Sequence, residues 1–224
     1  MQKQSNTAIE TATGNFVDVI NPEPNTLSIY DIAHALSRQC RFIGHCTGEP
    51  YSVTEHSMLV LALVRCTLLA VRGGVTDSEI TQSLIKWVHF IPDENVLVRI
   101  DIICLNALLH DSTEAYLVDV PSPIKKHSVL KVPYAELEAN LDRAINCALG
   151  VPEITEQEKA IIKWADLLAL KIEAYHMMPS KGESWCIEFP DFSPSFGYLL
   201  VCDKNWRISY NRFLDEFNFL KSTI

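Results

Sequence analysis

The sequence predicts an all-α protein, one bundle of packed helices with an irregular C-terminal segment. Three observations carry this. Apolar residues recur at helical spacing along most of the chain, two capping boxes mark helix starts, and the connections between periodic stretches are short. With 224 residues, 48% of them apolar and 21% charged, the chain has the composition of one well-buried domain, and its length makes a second independent core unexpected.

Residues 1–13 are polar and aperiodic, and are expected to form a flexible arm. Phe16-Val17-Asp18-Val19-Ile20 reads as a short strand or extended segment, ended by Asn21-Pro22-Glu23-Pro24, where proline removes donors and favours a turn. Ser28 is placed to cap a helix whose apolar positions Ile29, Ile32, Ala33 and Leu36 share a face, and which should run to about Gln39. After a loop over 44–50, Ser52 and Glu55 fit a capping box that opens the next helix just before His56. That helix is apolar nearly all round through Leu59, Val60, Leu63 and Leu69, the mark of a central buried helix, and Gly73-Gly74 ends it.

Asp77 is expected to cap a helix over 78–90, Pro92 breaks the chain, and a further helix should run from Asp93 to His110-Asp111. Pro121 and Pro123 enforce a loop. A helix over 133–149 closes on Gly150, and Thr155 with Glu158 forms the second capping box, for a long helix through Asp166 to about Met178. Residues 179–205, rich in Pro, Ser, Gly and aromatics, read as irregular, and 206–221 as a final amphipathic helix.

Composition narrows the function. A formal charge of −9 argues against binding polymeric nucleic acid, which needs Lys and Arg to neutralise several phosphates, but leaves room for a small phosphorylated ligand. The longest apolar stretch, 58–71, is interrupted by Arg65 and Thr67 and falls short of the roughly 20 apolar residues of a membrane span. The N-terminus lacks the charged and apolar regions of a secretory signal, so a cytoplasmic protein without membrane contact is expected. Seven irregularly spaced cysteines contain no paired short motif, so reduced, mostly buried thiols are expected rather than disulfides or a zinc ribbon.

The chemistry concentrates at His110-Asp111, which ends an apolar run, with His56 upstream and Asp166 downstream. Two imidazoles and two carboxylates can close around one divalent ion, and that donor set suits Mn²⁺, Co²⁺, Fe²⁺ or Zn²⁺ better than Mg²⁺. Neighbours on a helix differ by about 100°, so His110 and Asp111 converge only at a helix end. Alternatively, each polar residue simply caps a helix. Against that, His56 and Asp166 lie in strongly apolar surroundings, where an uncompensated charge costs roughly several kcal/mol and a shared cation would supply the partner. An ion so held, with water at an open position, is a hydrolytic site.

The wider pattern resembles the small nucleotidase group of the HD-domain phosphohydrolases, which includes bacterial 5′-deoxynucleotidases and phage dATP triphosphohydrolases. The resemblance rests on Leu108-Leu109-His110-Asp111-Ser112-Thr113-Glu114-Ala115-Tyr116, Asp119-Val120-Pro121, Asp31-Ile32-Ala33-His34-Ala35-Leu36, Cys40-Arg41-Phe42 and Tyr51-Ser52-Val53-Thr54-Glu55-His56-Ser57, and spans 14 to about 178. It implies an HD-domain helical bundle in which His56, His110, Asp111 and Asp166 hold one divalent transition metal. Glu114 and Asp119 match the acidic pair that positions the attacking water and assists proton transfer. Arg41 matches a phosphate-contacting arginine, and Phe42 lies where family members often place an aromatic beside the nucleotide. Lys125 is either a second phosphate contact or a solvated lysine beside Lys126.

The resulting expectation is a metal-dependent phosphohydrolase of small deoxynucleotides, releasing phosphate from a monophosphate or triphosphate from a triphosphate such as dATP, and assembling as a homo-oligomer. A cyclic nucleotide or dinucleotide phosphodiesterase is the second reading, weakened because only His127 and His176 follow the His-Asp pair. A non-catalytic sensor or scaffold is the third, and Glu114 and Asp119 argue against it. The segment 72–95 departs from a compact family member and reads as an insertion whose Trp87 and His89 serve packing or oligomer contact. His34 and His45 could face the substrate cleft.

Overall fold

The computed structural model describes residues 6–224, and the first five positions of the expected arm lie outside the described residues. Ten α-helices form among the described residues: α1 (Ile29–Leu36), α2 (Val53–Arg72), α3 (Glu79–Val88), α4 (Glu94–Leu97), α5 (Ile100–Leu109), α6 (Glu114–Leu117), α7 (Ser122–Lys125), α8 (Lys131–Leu149), α9 (Glu156–Met177) and α10 (Trp206–Thr223). The predominantly helical class predicted from the periodicity is the observed one.

The capping chemistry places the principal helices where the sequence puts them. Ser28 Oγ accepts from Tyr30 N at 3.2 Å to open α1. Both capping boxes form, Ser52 with Glu55 at α2 and Thr155 with Glu158 at α9. Gly150, at φ 59°, closes α8 in the left-handed conformation that favours glycine.

Helix α2 is the centre, packing against α5, α9, α3 and α10. By length and composition it could cross a bilayer, which the shorter 58–71 stretch did not suggest, but here about two thirds of its most apolar window is buried within the bundle. Its Leu63 and Leu68 are fully buried, as are Ile103, Leu105, Leu108, Trp164, Leu168 and Phe213 around it. Each such side chain contributes about 1.5–3 kcal/mol, so the core leaves little freedom to the residues that end its helices.

Several local expectations are corrected. Ala8–Glu10, inside the expected flexible arm, is a strand (β1) paired antiparallel with Phe16–Asp18 (β2). Thr11 and Thr13 fasten the arm to α1: their hydroxyls donate to Asp31 Oδ2 at 3.0 and 2.7 Å, and Thr13 N donates to Asp31 Oδ1 at 2.8 Å. The cap of α3 is Ser78, whose Oγ accepts from Thr81 N, rather than Asp77. The helix expected from Asp93 to His110 is divided into α4 and α5 at Arg99, whose Nε donates to Glu158 Oε1 at 2.6 Å and whose Nη2 donates to Glu153 O at 2.7 Å. A contact distant in sequence outweighs an unbroken local pattern there.

The Pro121–Pro123 stretch opens the short helix α7, because a proline in a first turn lacks only an N–H that has no partner in a helix anyway. The segment 72–95 supplies a packing surface: Leu84 is fully buried, and Ser83 Oγ accepts from Trp164 Nε1 at 3.2 Å while donating to Asp191 O at 2.7 Å. All seven thiols are free, but only Cys104 is buried, since most of the others lie on loops and outward helix faces.

Candidate metal centre

Three helices converge on one point. His56 comes from the first turns of α2, His110 closes α5, Asp111 follows it, and Asp166 comes from the middle of α9. His56, His110 and Asp166 each offer a ligand atom, all within 4.8 Å of one another, and can hold a metal ion. His56 Nε2 is 3.3 Å from His110 Nε2 and 3.3 Å from Asp166 Oδ1. Asp111 Oδ2 joins them, 3.5 Å from His56 Nε2 and 3.3 Å from His110 Nε2.

The imidazole tautomers explain why the cluster suits a cation. His56 Nδ1 lies 2.7 Å from Glu173 Oε1, and His110 Nδ1 lies 2.8 Å from Ala107 O. Both partners are acceptors, so each Nδ1 carries the proton and each Nε2 presents a lone pair. Two lone pairs and two carboxylate oxygens then face one small space, which only positive charge can fill. The pKa directions show the same preference for positive charge, which a proton on His56 Nε2 meets where no metal takes its place. Burial and Arg41 press the His56 imidazole down, yet Glu173 and Asp166 outweigh them and raise it to about 10. Burial opposes ionisation of Asp111 and Asp166, but the imidazoles hold both carboxyls below the usual range.

Arg41 stands beside this cluster and is buried. Its Nη1 is 3.7 Å from Asp111 Oδ2 and 3.8 Å from Asp119 Oδ2, and its Nε is 3.3 Å from Glu173 Oε2. The next two residues, Phe42 and Ile43, both have φ 55°, a left-handed conformation that is costly for bulky and β-branched side chains. Phe42 stacks obliquely on Trp185, with ring centroids 6.0 Å apart.

Glu114 opens α6 and is buried. Its Oε1 accepts from Lys125 Nζ at 3.1 Å, while Oε2 has no hydrogen-bond partner. Burial first, then Asp111 and Asp119, push its carboxyl up to about 8. Lys125 also donates to Glu138 Oε1 at 3.0 Å, so it is engaged by two acids instead of lying free at the surface. Asp119 is fixed through its backbone, since Asp119 N donates to Gln39 Oε1 at 3.2 Å and Gln39 Nε2 donates to Glu114 O at 3.0 Å. His34 packs against Trp206 at 5.3 Å between ring centroids, and His45 is exposed.

Sequence reading missed three members of this assembly. Glu173 lies two helical turns after Asp166 on α9, and its signal was an isolated carboxylate between Ile172 and Ala174 on the same face. Gln39 gave no signal. Lys163, one turn before Asp166, donates to Asp166 Oδ2 at 2.6 Å. On the side of Lys163 the cluster opens into a groove of about 1000 Å³ between α5, α8 and α9, and His110, Asp111 and Asp166 form part of its wall.

No protein-family model matches the chain. It is similar to a protein of Escherichia coli K12 named "Uncharacterized protein YfdR", at 28% identity over 215 residues covering 95% of this chain and 94% of that one. It is also similar to "Uncharacterized protein RCAP_rcc00048" of Rhodobacter capsulatus, at 30% identity over 164 residues, 72% of this chain and 68% of the relative.

Proposed function

We propose that this chain, which belongs to the same family as RCAP_rcc00048, is a metal-dependent phosphohydrolase of deoxynucleotides built on an HD-domain helical bundle. One observation carries the reading: two imidazole Nε2 atoms and two carboxylate oxygens face one point, with a buried arginine alongside and the buried Glu114, whose Oε2 has no hydrogen-bond partner. His56 Nε2, His110 Nε2, Asp111 Oδ2 and Asp166 Oδ1 would hold one divalent transition ion, Mn²⁺, Co²⁺, Fe²⁺ or Zn²⁺. When bound, such an ion supplies Lewis-acid polarisation and a water acidic enough to react at neutral pH.

The remaining steps belong to the side chains. Arg41, always charged and fork-shaped, grips phosphate oxygens and offsets charge developing on them. Asp119 takes a proton from the attacking water. The water oxygen bonds to phosphorus, the bond from phosphorus to the 5′-oxygen breaks, and Glu114 delivers a proton to that leaving oxygen. Nucleoside and phosphate, or nucleoside and triphosphate, result. Glu173 keeps the His56 proton on Nδ1, and Lys125 steadies Glu114. A purely structural metal site would have no use for the buried, unpaired Glu114 Oε2.

The test is to load the protein with each of the four ions and screen all deoxynucleoside mono- and triphosphates, identifying the products. Asp111→Ala is expected to lose both metal and turnover. Glu114→Gln should retain metal, measured by elemental analysis, and lose about 10²-fold or more in kcat. Full activity in Glu114→Gln removes its assigned role, and no turnover of any nucleotide by the loaded wild type overturns the proposal.

A further inference from the structure

The metal centre has two flanks of different chemistry. Arg41, Phe42, Glu114, Asp119 and Lys125 occupy one and do not line the groove described above. The groove on the other flank carries three cations that the proposed reaction leaves unused. Lys159 and Lys163 stand one helical turn apart on α9, with Asp166 next in the same row, and Arg143 is on the facing α8. Their present partners yield easily: Arg143 Nη2 is bonded to the neutral Asn140, and Lys159 Nζ contacts Glu156 at 2.7 Å, a pair open to water on both sides. Lys163 Nζ already touches the cluster through Asp166 Oδ2 at 2.6 Å.

We propose, building on the phosphohydrolase reading above, that this groove holds the phosphate chain of a nucleoside triphosphate. Lys163 contacts the phosphates next to the metal centre, and Lys159 and Arg143 contact those farther out. The volume of about 1000 Å³ far exceeds what a single phosphate needs. Charge favours the same ligand. Asp142 and Glu153 share these walls, so beyond the cluster three cations face two acids. The three cations are spread over two helices, α8 and α9, so a chain of phosphates can reach more of them than a single phosphate can. In the reaction, the water oxygen joins the α-phosphorus, the bond to the 5′-oxygen breaks and that oxygen gains a proton. The products are the nucleoside and inorganic triphosphate, the latter still seated along the row of cations.

The experiment uses the full-length, metal-loaded protein and the double variant Arg143→Ala/Lys159→Ala, with the charge-conserving Arg143→Lys/Lys159→Arg as control. Two quantities are read. One is the ratio of kcat/KM for the best deoxynucleoside triphosphate to that for its monophosphate. The other is calorimetric affinity for inorganic triphosphate. Both are expected to fall about 10-fold or more in the alanine variant, as charge-assisted contacts require, and to be largely restored in the control. An unchanged ratio with unchanged inorganic triphosphate affinity, in a variant whose circular dichroism and Tm match wild type, overturns the groove assignment alone. So does turnover of monophosphates only, or a variant that loses affinity for the deoxynucleoside instead of inorganic triphosphate. Absence of turnover with every nucleotide is the separate result that defeats the phosphohydrolase reading itself.

Discussion

Glu173 links the candidate metal cluster to Arg41, one oxygen accepting the hydrogen bond from His56 Nδ1 and the other facing Arg41 Nε. It is fully buried, so neither contact is diluted by solvent. In Glu173→Gln the shape survives and the charge does not, and metal affinity is expected to fall about 10- to 100-fold, read by competition with a chelator. Affinity equal to wild type would mean the carboxylate does not support the histidine. Glu114 adds a pH dependence. With a carboxyl pushed up to about 8 by burial, Asp111 and Asp119, it is protonated and able to donate at neutral pH. Donation is therefore available below about pH 8 and lost above it, so kcat should fall on the alkaline side, and Glu114→Gln should lack that limb. The residues of the candidate cluster, His56, His110, Asp111 and Asp166, could be read from the sequence because imidazole and carboxylate in apolar surroundings demand a partner. Glu173, Gln39 and Lys163 could not, because their work depends on which helix faces which.

At the scale of elements, the start of α2 does more than begin a helix. Glu55 Oε2 accepts from Ser52 N and Oγ at 2.7 and 2.6 Å, and Glu55 Oε1 accepts from Asp203 N at 2.6 Å, so the box also anchors the C-terminal loop one residue before His56. Ser52→Ala is expected to cost about 1 kcal/mol, as lost helix caps do, measured by urea unfolding. Glu55→Ala should cost more, since it releases Asp203 as well; equal losses would show that the loop anchor contributes nothing. Caps and apolar periodicity made α1, α2, α8, α9 and α10 readable in advance. The break between α4 and α5 was not, because Arg99 carries no local breaking signal and acts through Glu158. Nor was β1, which depends on Asp31, a residue of α1, receiving Thr11 and Thr13.

For the whole molecule, the candidate ion would sit where α2, α5 and α9 meet, so its binding and the folded state support each other. At an ion concentration about 1,000 times Kd the gain is about 4 kcal/mol, which for a chain of this size corresponds to roughly 10 °C in Tm. A chelator should remove that increment, measured by calorimetry, and an identical Tm with and without chelator argues that nothing is bound there. The helical class was visible in composition and periodicity, whereas the groove arises from the packing of α8 against α5 and α9, which no local pattern encodes. The apolar girdle of α2 has one more consequence. During synthesis this helix leaves the ribosome well before α9 and α10, two of the neighbours that will cover it, so even after α3 and α5 have been made part of its apolar surface stays open to unwanted association until the last third of the chain emerges.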